Sequence, residues 1–172
     1  MPGKRGIPWV VMIAGIGILG AVPSAFSHCE IPCGIYADQM RVVMIAEDIT
    51  TIEKSMTEIN RLSKEGDKNY NQLVRWIVNK DEHAVKIQEV VYQYFMTQRL
   101  KITDPKDEAA YKKYLSQLVP LHELLVYAMK CKQTTDLENC EKLRKALEAF
   151  QAAYFSAEDL KHIQEHHGEH SK

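Results

Sequence analysis

The chain has 172 residues, enough for one well-filled domain and too few for two comfortable ones. Its 22 Lys+Arg nearly balance 23 Asp+Glu for a formal net charge of -1, which excludes the basic footprint expected of a nucleic-acid-binding protein. The four cysteines fall as two pairs, Cys29/Cys33 and Cys131/Cys140, and their placement suggests two different jobs.

The first stretch departs from the rest. Lys4 and Arg5 precede an apolar run from Ile7 to Val22, followed by Pro23 and the small-residue sequence Ala25-Phe26-Ser27. These are the three parts of a secretory signal peptide. The rival is a membrane anchor, but about 16 apolar residues broken by Gly15, Gly17 and Gly20 fall short of the ~20 that span a bilayer. Ala25 and Ser27 place the cut after Ser27, so the exported chain begins at His28, free of the membrane once cleaved. No Arg-Arg pair is present, which favours the general secretory route to a periplasmic or extracellular location. The organisation expected is a signal peptide over 1–27, a metal-binding hook over 28–36, a helical domain over 37–158 and a His-rich polar tail over 159–172.

Within the helical domain, Ile45, Ile49, Ile52, Met56 and Ile59 alternate by four and three, which predicts a core-facing helix from about Asp38 to Lys64. Gly66-Asp67 breaks it. A second stripe runs through Val74, Ile77, Ala84, Ile87, Val91 and Tyr94, and that helix ends near Lys101. Asp104-Pro105 signals a turn and a new start, followed by Tyr111, Tyr114, Leu118, Leu121, Leu125 and Ala128. Pro120 lies inside this third stripe and predicts a kink or a break into two pieces. Thr134 or Thr135 then caps a fourth helix with the stripe Cys140, Leu143, Leu147, Phe150, Tyr154. Four amphipathic helices with short connections and no strand pattern predict an all-α fold, an antiparallel four-helix bundle. The tail histidines His162, His166, His167 and His170 lie beyond it in a polar segment expected to fray into solvent.

The segment from His28 to Tyr36 has neither helical nor strand period, yet it gathers two thiols, an imidazole and, after cleavage, a free amine. Pro32 and Gly34 permit a tight reversal, so both sulfurs can face one point. The α-amine of His28 and the amide nitrogen and thiolate of Cys29 close two adjacent five-membered chelate rings on a metal, and Cys33 supplies a fourth corner. Two nitrogens and two sulfurs in a plane suit a nickel ion better than zinc, which prefers a tetrahedron. The imidazole of His28 is left for an axial position. Thiolate and amide donors stabilise the higher oxidation state, so Ni(III)/Ni(II) cycling can oxidise one superoxide to dioxygen and reduce a second to hydrogen peroxide.

The run His-Cys-x-x-Pro-Cys-Gly-x-Tyr at a processed N-terminus resembles the nickel hook of the nickel-containing superoxide dismutases. The resemblance implies superoxide as substrate and nickel as cofactor. It also implies His28 binding through amine and imidazole, Cys29 through amide nitrogen and thiolate, Cys33 through thiolate, and Tyr36 standing over the open face. It further implies a homo-oligomer, a hexamer. Tyr94-Phe95 resembles part of the family's Asp-Tyr-Phe-Lys-Pro segment, with Gln93, Met96 and Thr97 in place of its acid, lysine and proline. Pro120-Leu121-His122 resembles a later Pro-x-Leu-His. An acid at Glu47 or a neighbour and a base at His83 match the pair that holds the axial imidazole in some members.

Other readings stand beside these. Cys29 and Cys33 could form an ordinary disulfide, and Cys131 with Cys140 is placed for a disulfide or for two buried thiols, the disulfide being preferred. Tyr36 could be plain packing, and Tyr94 suits core packing and a lining role equally. An exported nickel or copper carrier could use the same hook without turnover. A di-iron or di-manganese bundle would need core-facing Glu-x-x-His pairs, and this chain has none.

Overall fold

The computed structural model describes residues 36–161. The leader, the hook as far as residue 35 and the tail from residue 162 lie outside the described residues. Four long helices dominate: α1, Asp38–Leu62; α2, Tyr70–Glu89; α3, Glu108–Gln133; and α4, Glu138–Tyr154. A 3-10 turn, Gly66–Asn69, leads into α2, and α2 runs on into a π-helical segment, Val90–Arg99. No strand occurs among the described residues. Sequential neighbours pack, and α1 also closes against α4, whereas the diagonal pairs barely meet. The expected four-helix bundle is thus the observed one.

The apolar stripes explain the assembly. Ile45, Ile49, Ile52 and Met56 of α1 are fully buried against Ala84, Ile87 and Val91 of the α2 side and Cys140, Leu143 and Phe150 of α4. Each of the larger aliphatic and aromatic side chains among them contributes about 1.5–3 kcal/mol on burial, and this packing, more than intrinsic propensity, holds helices of this length. On α3 the buried positions are Leu121, Leu124, Ala128 and Cys131, with Leu118 and Leu125 partly covered.

Several expectations need correction. Val74 and Ile77 are exposed; the inward face of early α2 runs instead through half-buried Leu73 and Trp76 to Lys80, which is buried. Of the kink or break expected at Pro120, the break does not occur: α3 is one continuous helix with Pro120 buried inside it. Proline removes one backbone donor at a cost of roughly 3 kcal/mol, and the full burial of Leu121 and Leu124 beside it offsets that cost. Neither Thr134 nor Thr135 caps α4: Asp136 Oδ1 accepts from Glu138 N at 3.0 Å, and Thr134 Oγ1 accepts from Asp136 N in the preceding turn. The α3 start is set by Asp107, whose side chain accepts from Ala110 N at 3.1 Å, three residues after the expected Asp104. Residues 157–161 are helical, started by Ser156 and Asp159, whose side chains exchange hydrogen bonds with each other's backbone amides. Cys131 and Cys140 are buried free thiols, not the preferred disulfide.

The π segment departs from the α-helical pattern in its hydrogen bonding. Leu100 N donates to Phe95 O at 2.8 Å, five residues back, and the side chains of Thr97 and Gln98 donate to the carbonyls of Tyr92 and Gln93, also five back. Wide turns of this kind are uncommon and often found at functional sites.

Candidate metal centre

Of the residues expected at the site, His28, Cys29 and Cys33 lie outside the described residues, and Tyr36 is the first residue within them. Among the described residues no group of three or more His, Cys, Asp or Glu side chains could hold a metal ion. What the structure establishes is how the segment following the hook is seated on the bundle.

Tyr36 lies where the beginning of α1 meets the end of the π segment. Its ring is 44% exposed, meets Tyr94 edge-on with centroids 6.0 Å apart, and lies under the Arg99 guanidinium at 4.2 Å. One residue on, Ala37 N donates to the Tyr94 hydroxyl at 2.8 Å. That hydroxyl in turn donates to Asp38 Oδ1 at 2.5 Å. Tyr94 is itself buried, so its ring belongs to the core, where it also meets the edge of Tyr36, while its oxygen joins the hydrogen-bond network. Core packing thus holds for Tyr94, which also borders a cleft between α1 and α2.

Asp38 gathers the rest. Its carboxylate accepts from Arg99 Nε and Nη2, the closest contact being 2.7 Å, and from Tyr154 Oη at 2.8 Å. Burial pushes the carboxyl up, but hydrogen bonds from Arg99, Tyr94 and Tyr154 together with the Arg99 charge outweigh it and hold it below the ordinary 3.8. Burial and the same carboxylate push both Tyr94 and Tyr154 up to about 12. At neutral pH the cluster is therefore one carboxylate, one guanidinium and two neutral phenols. A cleft of about 660 Å³ opens over it, between Tyr36, Arg99 and Tyr154.

A second cleft of about 610 Å³ lies on the other side of Tyr94, between α1 and α2. Asp48 and His83 face each other across it, with Oδ1 2.6 Å from Nδ1. The acid opposite His83 is thus the buried Asp48, while Glu47 is exposed on the rim. Burial pushes Asp48 above its ordinary value despite the hydrogen bond from His83. Arg41 and Lys86 line the same cleft, and Lys86 Nζ stands 3.5 Å from His83 Nε2. Gln93 lines it too, at the position where the family segment has an acid.

The family model of nickel-containing superoxide dismutase matches residues 23–158. The chain belongs to the nickel-containing superoxide dismutase family. Its activity is accordingly the dismutation of superoxide, an oxidoreductase reaction, and its metal is nickel. The nickel or copper carrier without turnover has no support. No curated protein and no solved structure matched the chain.

The nickel superoxide dismutase reading of the sequence missed Asp38, Arg99 and Tyr154. Asp38 was legible only as a helix start and Arg99 as a helix end, and nothing in either pattern says that the two meet 61 residues apart. The π turn that brings them together has no sequence period of its own.

Proposed function

We propose that the mature enzyme begins at His28 and holds nickel through the α-amine and imidazole of His28, the amide nitrogen and thiolate of Cys29, and the thiolate of Cys33. The observation that carries this reading is the firm seating of the segment immediately after those residues: Tyr36 and Ala37 are tied to the bundle through Tyr94, Asp38 and Arg99. A short donor-rich segment anchored at its far end can present its ligands at one place on the surface. The donors fit the metal, since thiolates with nitrogen donors stabilise the higher oxidation state that zinc lacks. When bound, nickel supplies the one-electron couple that oxidises one superoxide to dioxygen and reduces a second to hydrogen peroxide.

The chain's own residues do the rest. Cys29 and Cys33 bind as thiolates, and His28 adds its imidazole. Tyr36 stands beside the site with its phenol O–H making no hydrogen bond among the described residues, free to donate to a small anion. We read Asp48 and His83 as the pair that steadies the His28 imidazole, supported by their 2.6 Å contact in the cleft beside Tyr94. Export through the cleaved leader to a periplasm or outside the cell belongs to the same reading. So does assembly into a homo-oligomer, a hexamer by family resemblance, which the exposed Tyr70, Val74, Ile77 and Val78 on one flank of α2 support.

Cys29→Ser and Cys33→Ser test the ligand set. Each should lose nickel, measured by metal analysis, and lose dismutation, while the far-UV helical signal stays, because the bundle buries its own stripes. Near-normal nickel and turnover in either variant would refute the thiolate assignment.

A further inference from the structure

Tyr36 is half exposed, and two described side chains hold its ring by aromatic contacts: Tyr94 edge-on with centroids 6.0 Å apart, and the Arg99 guanidinium 4.2 Å from the ring centre. The second lies over the flat face of the ring, and its geometry is set from behind. Arg99 presents one edge to Asp38 through Nε at 2.9 and 3.1 Å and Nη2 at 2.7 Å. A forked pair of this kind fixes the plane of a guanidinium as well as its position, which a lysine ammonium cannot do. Asp38 is fixed in turn by Tyr94 from the π segment and Tyr154 from the end of α4, so three elements determine where the Arg99 plane lies.

The π segment is what makes this possible. Tyr94 and Arg99 are five residues apart and both reach Asp38. In an α-helix, at roughly 100° per residue, five steps would leave the two side chains about 140° apart around the axis. In a helix bonded five residues back, as Leu100 N is to Phe95 O, positions five apart fall near one face.

We propose that Arg99 is a positioning residue for the dismutase reaction: gripped edge-on by Asp38, it holds the Tyr36 ring against its flat face and leaves the phenol oxygen free at the site. The proposal rests on the reading of Tyr36 as the tyrosine beside the nickel ligands. The side chains that hold Tyr36 use its ring alone, so the hydroxyl is presented without being consumed. An attraction between a guanidinium and a part-exposed ring is modest, and its loss should change the fraction of correctly placed rings by about two- to fivefold.

The test uses the nickel-loaded full mature chain. Arg99→Lys keeps the charge and can still pair with Asp38, but it lacks the planar face. Turnover is expected to fall about two- to fivefold at unchanged nickel content and unchanged helical signal. Tyr36→Leu should also lower turnover, and adding Arg99→Lys to it should cause no further loss, since the arginine acts only through the ring. Independently of activity, the Arg99 Nε–H proton in a ¹⁵N-labelled sample should be shifted upfield by the ring current of Tyr36, with or without nickel, and lose that shift in Tyr36→Leu. If Arg99→Lys lowers turnover by the same factor whether residue 36 is Tyr or Leu, or if the Nε–H is unshifted, the positioning role is overturned while the role of Tyr36 stands. Full turnover in Tyr36→Leu would overturn the reading of Tyr36, and the proposal with it.

Discussion

Replacing Tyr94 by Phe removes one oxygen and leaves a buried ring in place, so it isolates what the hydroxyl does. That oxygen donates to Asp38 at 2.5 Å and accepts from Ala37 N at 2.8 Å. A hydrogen bond to a charged group contributes about 1.5–3 kcal/mol, and a backbone donor left without a partner costs about 1–3 kcal/mol when fully buried. Both figures must be discounted, because Asp38 keeps its bonds from Arg99 and Tyr154 and its side chain is 17% exposed, so water can replace part of what is lost. A net loss of about 2–3 kcal/mol results, which for a chain of this size lowers Tm by roughly 5–10 °C. Thermal unfolding followed by circular dichroism at neutral pH measures it. A fall of less than about 2 °C would show that the seating of Ala37 and Asp38 does not depend on this oxygen. The same variant carries a pH signature. Burial and Asp38 push the Tyr94 and Tyr154 phenols from the ordinary 10.0 up to about 12, so the unfolded chain gives up these protons before the folded one does. Their contribution is complete below pH 10 and is lost as the pH rises towards 12. Tyr94→Phe should flatten that alkaline decline, and an unchanged slope would refute the assignment.

Two further outcomes are expected from the structure and the hook chemistry. Cys131 and Cys140, buried as free thiols, should resist maleimide in the folded protein and both react once it is denatured, as counted by intact mass; a mass two hydrogens light that blocks labelling would reveal a disulfide instead. A chain expressed without export and carrying Ser27 ahead of His28 should fold yet show little nickel-dependent dismutation, because an amide at His28 gives up its proton far less readily than an amine; trimming that residue and adding nickel should restore it.

How much of the fold and the site could be read from the residues depends on which pattern carried the information. The α1 and α4 stripes were legible because Ile45, Ile49, Ile52, Met56 and Ile59 and then Cys140, Leu143, Leu147 and Phe150 keep the helical period, and the buried polar Asp48 and Ser55 lie between stripe positions without interrupting it. Early α2 was misread for the opposite reason. A lysine occupies its inward position at Lys80, so the eye passes to Val74 and Ile77, which have the right chemistry on the wrong face. Tyr36 and the hook stood out by composition, as donor density in an irregular segment. The cluster that seats Tyr36 did not, because Asp38, Arg99 and Tyr154 are each ordinary helix-end residues, brought together by the packing of α4 on α1 and by the register of a π turn. The partner of His83 was narrowed to Glu47 or a neighbour, and burial then distinguishes Asp48.

The buried Lys80 has a consequence for how the domain comes apart. Its ammonium leaves α2 and donates to the carbonyls of Cys131 at 2.6 Å and Lys132 at 2.8 Å, in the last turn of α3 where backbone acceptors have no partners of their own. On the opposite side, Asn60 near the end of α1 donates to the carbonyl of Thr135 in the α3–α4 connection at 3.1 Å. The connection that makes α3 and α4 a hairpin is thus completed by groups from the other hairpin. Separated from α1 and α2, the α3–α4 pair would expose Cys131 and Cys140 and leave those carbonyls to water. The two hairpins are therefore expected to be lost together, in a single cooperative transition.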